Sequence, residues 1–344
     1  MNVCLIESQL ILPEIFIDYP QQAQNRIIEV WRQIMMNPPL KIIKYSKREY
    51  DLIHSMIGTF ERKAFLIFSN KIGEGSSKIV KLGMELNTSQ LRAIAKVRLT
   101  NESVKNFCDH ETQMMKLFNE DRFIYLDDFF ERNNKYYFVM EYCPGGDLFS
   151  FIERNPTPIF FKCKIAFDIA KSLQLFHDQN YIHRDIKPEN IFLTSEGQAK
   201  VGDLNYMILE EDLKKNLTPK GTLHYLAPEI CQEMIQNNAL SSQMFSKKSD
   251  VWALGCVFYI LFNPLKTPLL WCHTTKKFCQ KMVQSNQFDI DRSIRLLGVP
   301  ACIQNLIGSM LKIDPELRFD IDQVVDALML FIQVKENLEN LFKF

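Results

Sequence analysis

The chain has 344 residues, 47% of them hydrophobic, enough for a sizeable core in one large or two ordinary domains. Its 41 basic and 41 acidic residues cancel without any block of like charge, which argues against nucleic acid or a membrane surface as the main partner. Nine scattered cysteines, an odd count with no C-x-x-C pair, read as reduced thiols; buried thiols explain Cys272 and Cys279 better than zinc does.

Residues 1–64 carry no catalytic motif and read as an N-terminal extension. The first residues lack a basic stretch and carry Glu7 and Glu14, so no signal peptide is expected. The longest apolar run, Val251 to Phe262, is too short to span a bilayer and reads as a buried helix. The cytoplasm or the nucleus is therefore the expected location, without membrane insertion. Ile27, Trp31, Ile34 and Met35 share one helical face, closed by Asn37-Pro38-Pro39. A second helix is expected over 47–63, where Ile53, Met56, Ile57 and Phe60 recur at helical spacing. Both faces should be buried, either within their own segment or docked on the following domain as a regulatory arm.

From residue 65 the texture changes. Strands are expected over 64–73, 79–86, 90–98, 124–132 and 136–143, interrupted by one helix near 106–119. Beyond Pro144 helices predominate, over 159–177, 248–262, 277–286, 300–313 and 322–337. A strand-rich half followed by a helix-rich half predicts an α+β enzyme of two lobes with a cleft between them.

The most informative segment runs from Tyr181 to Leu193 and contains His183-Arg184-Asp185, Lys187-Pro188 and Asn190. A phosphoryl transfer needs these residue types close together. A carboxylate accepts the proton of the attacking hydroxyl, a cation meets charge developing on the phosphate, and an amide oxygen holds a metal. A polar surface loop would not need this combination of type and spacing.

On this H-R-D-x-K-P-x-N pattern the chain resembles the eukaryotic protein kinases, and Lys187 with Gly221-Thr222 points to the serine/threonine branch. The resemblance covers residues 65–332 and implies a bilobal kinase fold. A small β-rich N-lobe would span about 65–141 and a larger helical C-lobe about 144–332, with the nucleotide cleft between and a short tail at 333–344. It implies ATP and Mg²⁺, a protein or peptide substrate, and an upstream activating kinase as a further partner. Asp185 would be the catalytic base, Lys187 would contact the γ-phosphate, and Asn190 and Asp203 would hold metal.

The resemblance also assigns a nucleotide pocket. Gly73 and Gly75 open a phosphate-covering hairpin whose third glycine is replaced by Lys78, expected to be solvated. Lys96 would hold the α- and β-phosphates while paired with Glu111. The small residue expected two before that lysine is Ile94, with Ala95 adjacent, so either the strand shifts by a residue or the adenine roof is bulkier. Glu141 and Cys143 would meet adenine through their backbones, with Met140 behind and Asp147 near the ribose. Ile72, Val80 and Phe192 would sandwich the base. Glu229 should pair with Arg318, and Asp250 should hold the catalytic loop from below. Thr218 occupies the place of an activating phosphosite, which Arg184 would receive.

One departure decides between two functions. Asp203-Leu204-Asn205 stands where the family has Asp-Phe-Gly. Leucine can fill the phenylalanine slot at a cost of about 1 kcal/mol, and asparagine tolerates the left-handed backbone that a glycine would permit. Because no charged or metal-binding residue is lost, an active kinase is the expected reading. The alternative is a pseudokinase scaffold that binds partners without phosphotransfer. A small-molecule phosphotransferase is disfavoured because Gly221–Glu229 reads as a peptide-docking platform.

Overall fold

The structure is a computed structural model. It describes residues 44–45, 50–57, 61–75, 78–85, 88, 90–154, 156–215, 221–237 and 245–341. The chain divides into two compact units, one of Met1–Thr112 with Tyr125–Tyr142 and one of Gln113–Ile124 with Cys143–Phe344.

Among its described residues the first unit has a seven-stranded antiparallel sheet and most of one helix. Its strands are β1 (Lys44–Tyr45), β2 (Tyr50–Ile57), β3 (Glu61–Glu74), β4 (Lys78–Glu85) and β5 (Leu91–Arg98). After helix α1 (Glu102–Leu117) come β6 (Leu126–Arg132) and β7 (Lys135–Glu141), in the sheet order β1-β2-β3-β4-β5-β7-β6. The helix starts where the Asn101 side chain accepts the Val104 N–H at 3.0 Å. Arg132 pairs with Lys135 across Asn133 and Asn134, whose φ angles of 48° and 55° make the tight two-residue turn that asparagine tolerates.

Register sorts the sheet into two faces, because side chains alternate along each strand. Val80 opposes Ala95, which opposes Phe138, and Lys78 opposes Val97, which opposes Tyr136. Ile79 opposes Lys96, which opposes Tyr137, and Lys81 opposes Ile94, which opposes Val139. The second set lies on the face of the buried cluster of Phe65, Ile67, Ile94, Tyr137 and Val139. The first set faces α1, since Tyr136 Oη bonds Thr112 Oγ1 at 2.8 Å and donates to Asp109 Oδ1 at 3.1 Å.

The helix expected over 47–63 is instead a pair of strands, with Tyr50–Ile57 in continuous register against Glu61–Phe68. A mixed segment of eight residues, with Asp51, His54 and Ser55 among its apolar ones, does not fix the period by itself, and the ladder offered by β3 satisfies its backbone groups. The helix expected around Trp31 lies outside the described residues.

The second unit is mainly helical. In order it contains β8 (Gly146–Asp147), α2 (Leu148–Arg154), α3 (Ile159–Asp178), β9 (Tyr181–Ile182), β10 (Ile191–Leu193), β11 (Ala199–Val201) and β12 (Ile208–Leu209). Then follow α4 (Pro228–Asn237), α5 (Lys247–Phe262), α6 (Thr275–Gln284), α7 (Gln287–Arg295), α8 (Ala301–Met310) and α9 (Ile321–Leu341). The apolar run at 251–262 is a buried helix as expected: Trp252 and Phe258 of α5 are fully buried. Its start is fixed by a reciprocal pair of Ser246 and Ser249 side-chain to backbone bonds. Helix α9 continues past the expected boundary at 332. Among the described residues no helix is long and apolar enough to cross a membrane.

Candidate active site

The loop after β9 is held from below by Asp250, in the first turn of α5. Its carboxylate accepts the backbone N–H of His183 at 2.7 Å and of Arg184 at 2.9 Å, and meets His177 Nε2 at 3.1 Å. This clamp keeps Arg184 in the left-handed region, with φ 69°. Burial holds the His183 imidazole below its usual pKa range, so it is neutral, and its Nδ1 accepts the Asp185 N–H at 3.2 Å.

Asp185 is therefore aimed by the backbone, and its carboxylate is then fixed by side chains. Lys187 Nζ donates to Oδ2 at 2.6 Å, Thr222 Oγ1 donates to Oδ1 at 2.7 Å, and Asn190 Nδ2 lies 3.2 Å from Oδ2. Lys187 also reaches Thr222 Oγ1 at 2.9 Å, closing a ring of three side chains. Asp185 is 4% exposed, and these donors hold its carboxylate oriented. Thr222 does not carry a site role in the sequence reading. Its signal was the Gly221-Thr222 pair, but only the folded segment reveals that its hydroxyl completes the aspartate's partners.

Asn190 donates through Nδ2 to the Asp185 carbonyl at 3.0 Å, and its own carbonyl accepts the Gly202 N–H at 2.9 Å. That bond sets Asp203 beside Asn190. Gly202 is required here: a Cβ would stand 2.9 Å from Ile124 Cγ1 and 3.1 Å from the Phe192 ring. The left-handed residue of the Asp-Leu-Asn turn is Asp203, with φ 57°. Asn205 was expected there, but it sits inside the short 3-10 turn Leu204–Tyr206 and needs no special backbone. Its side chain instead donates to Asp203 Oδ1 at 2.6 Å. Leu204 is buried at 1% exposure and fills its slot.

The donor set fits Mg²⁺. With the amide nitrogen of Asn190 directed at Asp185, its side-chain oxygen is the atom left to offer a cation, as is the Asp203 carboxylate. Two hard oxygen donors suit a magnesium that completes its shell with phosphate and water. Among the described residues no group of three or more His, Cys, Asp or Glu could hold a metal by itself.

In the first unit, Gly73 and Gly75 lead into β4, where the Gly75 N–H bonds Lys78 O at 2.9 Å. A Cβ on Gly73 would meet only Val80 at 3.6 Å, and one on Gly75 only Lys78 O at 4.0 Å. Among the described residues nothing packs closely enough against either position to demand glycine. Lys78 is not solvated as expected. Its side chain is 17% exposed and its Nζ meets Oε1 of Glu111, 4% exposed, at 2.5 Å. Burial, with Glu111 adding and Lys78 opposing, pushes the Cys108 thiol one turn earlier up to about 11. Lys96 was expected to make that pair, but β5 carries it on the sheet face away from α1.

Of the residues expected at the adenine, Glu141 exchanges a pair of bonds with Tyr125: its N–H to Tyr125 O and the Tyr125 N–H to its Oε1, each 3.0 Å. Met140 opposes Ala93 on the α1 face, Cys143 is buried, and Ile72 is exposed. Asp147 caps α2, its Oδ1 accepting the Ser150 N–H at 2.8 Å, and pairs with Phe192 across β8 and β10. Thr218 lies outside the described residues.

The platform after Gly221 is anchored by Arg318, whose guanidinium grips both Glu229 oxygens at 2.8 and 2.9 Å. This is the expected pair.

Comparison with known proteins agrees with this geometry. Residues 66–329 match the family described as "Protein kinase domain". The mouse serine/threonine-protein kinase Nek5 is 32% identical over 72% of this chain and 37% of its own length. Mouse Nek1 is 34% identical over 56% of this chain and 16% of its own. The fission yeast serine/threonine-protein kinase cds1 is 28% identical over 72% of this chain and 54% of its own. The matched segment thus spans between about one sixth and about half of these relatives' lengths. With its β-sheet unit, its helical unit and the clamped Asp185 loop, the chain belongs to the eukaryotic protein kinase family.

Proposed function

We propose that the chain is an active Mg²⁺- and ATP-dependent serine/threonine protein kinase. The observation that carries this is the ring of Asp185, Lys187 and Thr222, which keeps a carboxylate oriented as a base for a hydroxyl proton. Asp185 orients the acceptor hydroxyl and takes its proton, and Lys187 meets charge on the transferred phosphoryl group. Asn190 and Asp203 would hold magnesium, which supplies charge neutralisation between the phosphates when bound. Asn205 and Leu204 leave those ligands in place.

Arg184 supports Thr218 as an activating phosphosite for an upstream kinase. Its Nε donates to Tyr206 O at 2.7 Å, while Nη1 is buried with no hydrogen-bond partner among the described residues. A phosphate on Thr218 would supply one. The expected setting is the cytoplasm or the nucleus, with protein substrates.

The test is phosphate transfer from labelled ATP with Mg²⁺ to a generic basic protein, wild type against Asp185→Asn. Transfer that falls by about 10²–10⁴ in the variant, the range for removing a general base, supports the reading. Folded wild type without transfer, alone and as Thr218→Glu, replaces it with the scaffold reading.

A further inference from the structure

The first unit contains two lysines near the glycine hairpin, and its register separates them. On β5 the residues facing α1 are Ala93, Ala95 and Val97, with Ala95 opposite Val80 and Phe138. Lys96 is displaced from that face by one residue, and a strand's period of two sends it to the side of Ile94 and Tyr137. Lys78, opposite Val97, is on the α1 side. Its Nζ meets Glu111 at 2.5 Å and lies 5.4 Å from the Phe138 ring centroid on the same face.

We infer that Lys78, held by Glu111, is the ammonium that grips the non-transferred phosphates of the nucleotide, in place of a lysine on β5. This rests on the phosphotransfer reading for its biological meaning, but not for its geometry. Three features carry it. Lys78 is the residue on which the glycine turn closes, through the 2.9 Å bond from Gly75 N, so its Cα is part of the bare backbone that phosphates can approach. Its side chain runs beneath the sheet to a glutamate of the adjacent helix, which fixes an otherwise flexible stem. On β5 the positions that share the face of Lys78 are Ala93, Ala95 and Val97, none of which carries a charge. A desolvated Lys–Glu pair adds little net stability, so its place beside a glycine turn is better explained by charge presented to an anion.

The first test uses the unaltered protein and a biotin-acyl phosphate of ADP. The amine nearest the phosphates attacks the acyl carbon, forming an amide and releasing the nucleotide, and peptide mapping locates it. Modification of Lys78 that excess Mg-ATP suppresses is expected; no ATP-protected modification at Lys78, with or without labelling of Lys96, overturns the inference. The second test compares variants whose folding is checked by thermal melting. Lys78→Met should lower transfer by at least about 100-fold, as loss of a charge-stabilising donor does, while Lys96→Met stays within about threefold. Should Lys78→Met destabilise the fold, Lys78→Gly combined with Ala95→Lys returns an ammonium to the α1 face and should recover transfer. Intact transfer in a folded Lys78→Met overturns this inference and leaves the kinase reading standing. Protected labelling of Lys78 in a wild type that transfers nothing does the reverse.

Discussion

Glu229→Ala should be among the most destabilising single substitutions in the second unit. Arg318 is 0% exposed in its side chain and Glu229 is 16% exposed. The guanidinium also donates from Nε to Lys312 O at 3.0 Å and from Nη1 to Lys248 O at 2.8 Å, with the Trp252 ring centroid 5.1 Å away. Removing the carboxylate leaves a buried charge whose neighbours are neutral carbonyls and an aromatic ring. The cost of breaking a buried pair from one side is about 3–5 kcal/mol, on the order of 10 °C in melting temperature for a unit of this size. Glu229→Gln keeps one acceptor and the shape, and should lose about 1.5–3 kcal/mol, the worth of a bond to a charged group. Urea unfolding followed by tryptophan fluorescence measures both, since Trp252 reports directly on the site. A Glu229→Ala loss below about 1 kcal/mol, or a Gln variant as damaged as the Ala variant, would refute the reasoning that the uncompensated charge sets the cost.

Further consequences can be checked in the same way. Gly202→Ala should destabilise by about 1–3 kcal/mol, the range for overpacking, since its Cβ would press on Ile124 and Phe192; unchanged melting would contradict the packing. Asp250→Ala should strand the His183 and Arg184 N–H groups, at about 1–3 kcal/mol each, and cut transfer along with stability; a variant of normal stability and rate would contradict the clamp. Asn205→Gly removes the bond to Asp203 but no backbone requirement, so stability should change by about 1 kcal/mol or less, and Mg²⁺ titration of nucleotide binding shows whether the freed oxygen tightens metal. Lys162, pushed down to about 8 by burial and then by Lys266, binds fewer protons folded than unfolded between pH 8 and 10.5. Stability should therefore gain with pH across that window relative to Lys162→Met, as parallel urea titrations will show.

The passage from a strand-rich to a helix-rich stretch and the buried helix at 251–262 were legible in the sequence, because each shows in the pattern of neighbouring residues. The partners of Asp250 and the Glu229–Arg318 pair were also expected, although they span 67 and 89 positions. There the family pattern supplied what local chemistry could not. The sequence did not reveal that 50–57 pairs as a strand, since so short a mixed segment suits either period until a partner ladder is present. Nor did it show that Asp203, not Asn205, takes the left-handed backbone, which is set by the bond between Gly202 and Asn190 and the packing on Leu204. Most consequentially, the sequence assigned Glu111 to Lys96 and left Lys78, 18 positions earlier, to solvent. Only the strand register placed Lys78 and Glu111, 33 residues apart, on one face and Lys96 on the other. Local sequence determined which charges exist, and the pairing of distant strands decided where each one points.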